Sequence, residues 1–151
     1  MSVEEKLRDL NLQLPPPPQP AGSYTRAVQS GPLLFVSGQL PLLAGQIQYA
    51  GIVGEDLDVE AGYEAAKLCA LNALSVLKAE TGDLDAVSIV RLGGYVASAS
   101  GFSDHTSVVN GASDLLASVL GDKGIHARLA VGVASLPLGA AVELEVIAAV
   151  G

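Results

Sequence analysis

Between Asp58 and Gly82 the apolar residues recur with a helical period. Ala66, Ala70, Ala73, Leu74 and Leu77 stand at i, i+4, i+7, i+8 and i+11, so they share one face of a helix. Asp58 can cap its start and Thr81-Gly82 can end it. The same spacing returns at Val108, Ala112, Leu115, Leu116 and Val119, between a capping Asp104 and a terminating Gly121. Elsewhere the pattern is that of strands: Tyr24 to Gln29, Leu33 to Ser37 closed by Gly38, a turn and short strand over 42–49, a long strand from Val87 to Ser98, and two strands, Ala127 to Ala134 and Ala141 to Ala149, joined around Pro137-Leu138-Gly139. Gly93-Gly94 inside the long strand predicts a bulge or a close backbone approach. The order predicts an α+β domain, one mostly antiparallel sheet with two helices packed on one face.

The N-terminus reads differently. Ser2-Val3-Glu4-Glu5 is a capping box opening a short helix to about Leu10, with Val3, Leu7 and Leu10 on one face. Pro15 to Pro20, with only Gln19 interrupting, forces an extended connector. The chain divides into a helix and proline-rich arm over 1–20 and a domain over 21–151. The arm is expected to pack on the domain as an appendage whose removal is tolerated.

Half of the 151 residues are apolar and the mean hydropathy is +0.44. A membrane span would explain this, but the apolar run Leu129–Val142 is too short and is broken by Gly and Pro. The first residues lack the apolar core of a signal peptide. Burial of apolar surface between identical subunits is the better explanation, so a homo-oligomer is expected. The net charge of −8 argues against nucleic acid, whose binding draws on Lys and Arg at the phosphates. Cys69 is the only cysteine. It can form no internal disulfide, which suits the cytoplasm, and it lies in an apolar helical pattern as a small core residue. His105 and His126 have no companions at metal-ligand spacing, so no metal is expected.

One charge is conspicuous. Arg128 stands in a stretch that is otherwise apolar or small, followed only by the acids Glu143 and Glu145. Alternation puts Arg128, Ala130, Gly132 and Ala134 on one strand face and Leu129, Val131 and Val133 on the other, under the helices. A hairpin pairing Ala134 with Ala141 sets Ala130 opposite Glu145 and Gly132 opposite Glu143, which gathers the arginine and both acids on one face. Two readings follow: a structural ion pair, worth only about 0–1 kcal/mol when exposed, or a pocket with a guanidinium fork for a carboxylate and an acid to handle a proton or water.

The residues Tyr24-Thr25-Arg26-Ala27-Val28, Leu34-Phe35-Val36-Ser37-Gly38-Gln39-Leu40-Pro41, Asn110, Ala127-Arg128, Leu136-Pro137 and Val142-Glu143-Leu144-Glu145 resemble the RidA/YjgF family of reactive-intermediate (enamine/imine) deaminases, also called the endoribonuclease L-PSP family. The resemblance covers about Gly22 to Val150. It implies a chorismate-mutase-like fold in a homotrimer, sheets inside as a barrel and helices outside, with clefts between subunits. It also implies hydrolysis of small 2-imino or enamine acids to 2-keto acids and ammonia, with no metal or organic cofactor. By the same resemblance Arg128 grips the substrate carboxylate, Glu143 positions or activates water, Tyr24 and Ser37 line the cleft, and Asn110 offers an amide. Ala130 stands where the archetype has cysteine, and His126 replaces the proline common before Ala-Arg. A non-catalytic trimer binding a small carboxylate is the alternative. Cleavage of RNA fits less well with the acidic charge.

Overall fold

The computed structural model describes residues 1–151. Both long helices form where the spacing places them, α2 over Val59–Thr81 and α3 over His105–Leu120. Asp58 Oδ1 accepts from the Ala61 amide at 2.8 Å. Gly82 closes α2 at φ +76°, a left-handed conformation that costs glycine nothing. Asp104 stands at the start of α3, but its carboxylate accepts from Ser107 Oγ at 2.5 Å rather than from the backbone. The two helices lie side by side; a Cβ at Gly111 would run into the Tyr63 carbonyl. Cys69 is fully buried on α2, as its apolar setting predicts, and burial raises its thiol pKa well above the ordinary value.

Seven strands follow in order: β1 (Ala27–Ser30), β2 (Leu33–Gln39), β3 (Leu42–Leu43), β4 (Gln46–Ile47), β5 (Val87–Ala97), β6 (Ala127–Val133) and β7 (Val142–Val150). β3 and β4 make a small hairpin, and the other five form one sheet in the order β1-β2-β7-β5-β6. Every pairing in it is antiparallel except β5 with β6, which is parallel. The expected α+β class therefore stands, with a mixed sheet.

The expected β6–β7 hairpin does not form. β7 lies between β2 and β5, and β6 is the edge strand on the far side of β5. Helix α3 returns the chain to the starting end of β5, so β6 runs parallel to it, as a helical crossover requires. Burial decides which strand is central. Val142, Leu144, Val146 and Ala148 of β7 are almost wholly covered, whereas no residue of β6 is fully buried.

The faces change with the register. Glu145 pairs with Gly93 and Glu143 with Tyr95, while Gly93 pairs with Leu129 and Tyr95 with Val131. Glu143, Glu145, Tyr95, Leu129 and Val131 thus share the open face. Arg128 and Ala130 pair with Leu92 and Gly94 and face the helices. The arginine and the two acids are on opposite faces, and it is the apolar Leu129 and Val131 that point away from the helices. The register shift in β5 falls between Ile89 and Arg91, not at Gly93-Gly94. Those glycines serve close approach: a Cβ at Gly94 would lie 2.7 Å from both Val109 methyls, and one at Gly93 2.8 Å from Glu145 Cγ.

The capping box is present at the start of α1 (Val3–Asp9): Ser2 Oγ accepts from the Glu5 amide at 3.1 Å and Glu5 Oε2 from the Ser2 amide at 2.7 Å. The helix is not loosely attached. Val3 and Leu7 are 5% and 4% exposed and belong to the main core, and the Val3 amide donates to Asp85 Oδ1 at 3.0 Å. The arm then crosses α2, where Ser75 Oγ donates to the Pro15 carbonyl. This burial argues against the expectation that the first residues can be deleted without loss.

Candidate functional site

Arg128 lies half-buried in the seam between β6 and α3. Nη1 donates to Ser113 Oγ at 3.0 Å and Nη2 to the Thr106 carbonyl at 3.2 Å. Thr106, Asn110 and Ser113 stand at i, i+4 and i+7 of α3, so Asn110 shares the helix face that flanks the guanidinium. None of the chain's three ion pairs involves Arg128; they are Arg26–Glu80, Lys78–Glu4 and Arg91–Glu145. The structural ion pair weighed for this arginine is therefore absent, and it is held by neutral oxygens instead. Ala130 adds little bulk to the floor of the seam, and Gly132 makes room there for Ser98 and His105.

Both histidines lie along the same seam, at opposite ends of β6. His126 Nε2 is 2.8 Å from Ser113 Oγ, and its Nδ1 is 2.6 Å from the Gly124 carbonyl. His105 Nε2 is 3.3 Å from Ser98 Oγ, and its ring meets Phe102 edge-on. Both groups crowd Gly132, where a Cβ would lie 2.5 Å from Ser98 Oγ and 2.6 Å from His105 Nε2. The six residues from His126 to Gly132 span roughly 20 Å of strand, too far for the two imidazoles to act together on one phosphate.

The acids occupy a second locus on the open face. Glu143 lies over Gly38, whose missing side chain makes room for it: a Cβ there would sit 2.6 Å from Oε2. With Gly38, Tyr95, Leu136 and Glu145 it lines an open pocket of about 350 Å³. Desolvation first, then the charge of Glu145, raises the pKa of Glu143 above the ordinary carboxylate value. Glu145 is tied up, accepting from Tyr95 Oη at 2.8 Å and from Arg91 Nη1 at 3.4 Å. Its hydrogen bond in turn raises the Tyr95 pKa.

Tyr24 and Ser37 stand beside that locus. They line a small cavity of about 50 Å³ with Gly38, Arg26, Leu40 and the segment Pro18 to Ala21 at the end of the arm. Tyr24 is 55% exposed and its hydroxyl accepts from the Ala21 amide at 3.3 Å. Ser37 Oγ donates to the Thr25 carbonyl at 2.7 Å.

The five residues singled out in the sequence thus fall into two groups. Tyr24, Ser37 and Glu143 gather around Gly38; Arg128 and Asn110 flank the β6–α3 seam; the sheet separates them within one chain. Ser113, Thr106 and Tyr95 were not foreseen. None of the three had a signal of its own in the sequence.

The family model described as "YjgF/chorismate_mutase-like, putative endoribonuclease" matches residues 4–150, so its span includes most of α1. Protein TCP17 of Trypanosoma cruzi is 46% identical over 145 residues, covering 95% of this chain and 91% of that protein. The mitochondrial protein MMF1 of Saccharomyces cerevisiae is 30% identical over 146 residues, 94% of this chain and 83% of that one. Among solved structures, Atu1372 of Agrobacterium tumefaciens is 45% identical with a TM-score of 0.92, covering 99% of this chain and 92% of that one. A Shewanella oneidensis protein, described with the same endoribonuclease label, is 32% identical with a TM-score of 0.97 and covers 99% and 100%. Matches of this extent, on the fold described above, establish that the chain belongs to the YjgF/chorismate-mutase-like family.

Proposed function

We propose that the protein hydrolyses small 2-imino or enamine acids to 2-keto acids and ammonia, in clefts that two copies of the chain build together. The observation that carries this reading is the state of Arg128: a half-buried guanidinium with no carboxylate partner, steadied by Ser113 and Thr106 beside a floor of Ala130 and Gly132. Two of its five N–H groups are occupied. The rest suit a carboxylate from outside the chain.

Glu143 supplies the second function. A carboxylate whose pKa is raised by desolvation is a better base for water near neutrality. In the reaction, R–C(=NH2⁺)–COO⁻ takes up water at the imine carbon, and the carbinolamine collapses to R–CO–COO⁻ with release of NH4⁺. The imine carbon is already electrophilic, so holding the carboxylate and orienting the water supply most of the catalysis.

Arg128 and Glu143 lie on opposite faces of one sheet, so a site using both needs a neighbour. The exposed apolar residues of the open sheet, Val28, Phe35 and Leu129, suit burial against that neighbour. Light scattering on a sized column should give three times the 15.3 kDa chain mass; a stable monomer would sink the composite cleft.

The deciding assay is ammonia release from freshly generated 2-iminopropionate. Arg128→Ala should lose about 3–5 kcal/mol of transition-state binding, roughly a hundredfold to several thousandfold in kcat/KM, without losing its fold. Arg128→Lys keeps the charge but not the planar fork and should be badly impaired too. Carboxylate binding without turnover would favour a ligand-binding trimer. Unchanged rates in a folded Arg128→Ala would overturn the reading.

A further inference from the structure

We infer that His126 and Ser113 form a hydrogen-bond relay that fixes the direction of the Arg128 guanidinium, making both of them positioning residues for the carboxylate site; this rests on the deaminase reading of Arg128. The donors can be assigned atom by atom. The Gly124 carbonyl can only accept, so His126 Nδ1, 2.6 Å away, carries a hydrogen and donates it. In the neutral ring Nε2 is then a bare acceptor. Ser113 Oγ, 2.8 Å from it, donates its single hydrogen there. The hydroxyl lone pairs are left facing Arg128, whose Nη1 donates at 3.0 Å. Each group in the chain has one role, and every donor points the same way: guanidinium to hydroxyl, hydroxyl to imidazole, imidazole to backbone.

Without His126 the Ser113 hydroxyl is free to rotate, and its hydrogen can turn toward the cation it now accepts from. With His126 that hydrogen is committed, and the oxygen is a fixed acceptor. The Thr106 carbonyl holds the other nitrogen at 3.2 Å. Two fixed acceptors on two nitrogens define the plane of a guanidinium, and a fork in a fixed plane loses less freedom when it binds a carboxylate. The relay is anchored where the backbone packs directly on α3: a Cβ at Gly124 would run into the Leu116 carbonyl. The carbonyl that sets the histidine tautomer thus belongs to a residue in close contact with the helix that carries Ser113.

The test uses the full-length protein and five variants: Ser113→Ala, His126→Leu, His126→Gln, Arg128→Ala and the double variant Ser113→Ala/His126→Leu. Pyruvate, the stable product, probes carboxylate binding by calorimetry, and 2-iminopropionate gives kcat and KM. Ser113→Ala and His126→Leu should each weaken pyruvate binding and raise KM about tenfold, with a smaller change in kcat. The double variant should be no worse than either single one, because both break the same chain. His126→Gln retains an acceptor near the Nε2 position and should recover most of the binding. Nitrogen-15 spectra should show Nδ1 of His126 protonated and Nε2 bare, and Ser113→Ala should move the Nε2 signal.

Wild-type binding and kinetics in folded Ser113→Ala and His126→Leu, beside an impaired Arg128→Ala, would overturn the relay and leave the carboxylate reading intact. A protonated Nε2, or an Nε2 signal indifferent to Ser113→Ala, would overturn it without any reference to activity. If Arg128→Ala itself binds and turns over normally, the carboxylate reading fails, and the spectra still decide whether the relay exists.

Discussion

Gly38→Ala offers a sharp test of the Glu143 locus because it adds one methyl group at the point where the carboxylate rests. The new Cβ would sit 2.6 Å from Glu143 Oε2, 3.0 Å from Cδ and 3.4 Å from Cγ. Only the last is an ordinary contact, so the carboxylate must retreat by about 0.8 Å or rotate away. A displacement near one ångström at a reacting group costs on the order of a hundredfold in rate, or about 2.7 kcal/mol. Stability should change much less. The atoms in the way are the far end of a flexible, half-buried side chain, and alanine in place of glycine removes freedom from the unfolded chain, a gain of about 0.4–1 kcal/mol where the backbone allows it. At this chain length one kcal/mol moves Tm by only about 2–4 °C. Imine hydrolysis and thermal melts, at one protein concentration, should therefore separate: a large loss of kcat in a protein that melts normally. Glu143→Gln in the Gly38→Ala background should add little to that loss, since both act on one group. A well-folded Gly38→Ala variant with wild-type kcat would refute the claim that the carboxylate works from this seat.

Other consequences are simpler to state. Leu7→Ala should cost about 2–5 kcal/mol in urea melts despite its place seven residues from the start, while Leu10→Ala, 48% exposed, should stay within about 0.5 kcal/mol; equal effects would show that α1 is not part of the core. Gly111→Ala drives a methyl into the Tyr63 carbonyl and should destabilise by about 3 kcal/mol or more, and a normal melt would mean that α2 and α3 can separate freely. The raised pKa of Glu143 means the folded state holds its proton more tightly than the unfolded one, so stability falls as pH rises from the unfolded value through the folded one. Glu143→Gln should accordingly melt higher than wild type at neutral pH and lose that advantage near about pH 4; a constant difference across pH would contradict the burial argument.

The helices and most strands were legible because their signals are local. The i, i+4, i+7 spacing of Ala66, Ala70 and Ala73, the capping Asp58 and the capping box at Ser2 each act within a few residues. Strand adjacency is not local. Leu129 and Val131 look like core residues, and burial under the helices follows from hydropathy alone. They lie instead on the open face, because α3 sets β6 parallel to β5 and leaves the central position to β7. That one error in adjacency set Arg128 on the same face as Glu143 and hid its true partners. Thr106 and Ser113 could be found only after α3 was docked against β6. The arm misled in the opposite sense: its proline run marks a boundary in composition, but Val3 and Leu7 beyond it bury fully, a fact that depends on where α1 lands.

If the cleft is composite as proposed, a sheet that carries Arg128 on one face and Glu143 on the other makes each chain the bearer of two half-sites, and damage is inherited differently in a mixed population. Under the composite reading, a chain lacking the arginine still offers its glutamate to a neighbour, and a chain lacking the glutamate still offers its arginine. Rings assembled at random from equal amounts of the two defective chains would contain intact clefts, about a quarter of the total, although neither parent makes any. Two alleles that each abolish activity alone would then partly complement one another within a single assembly. A chain that fails to fold would have nothing to lend.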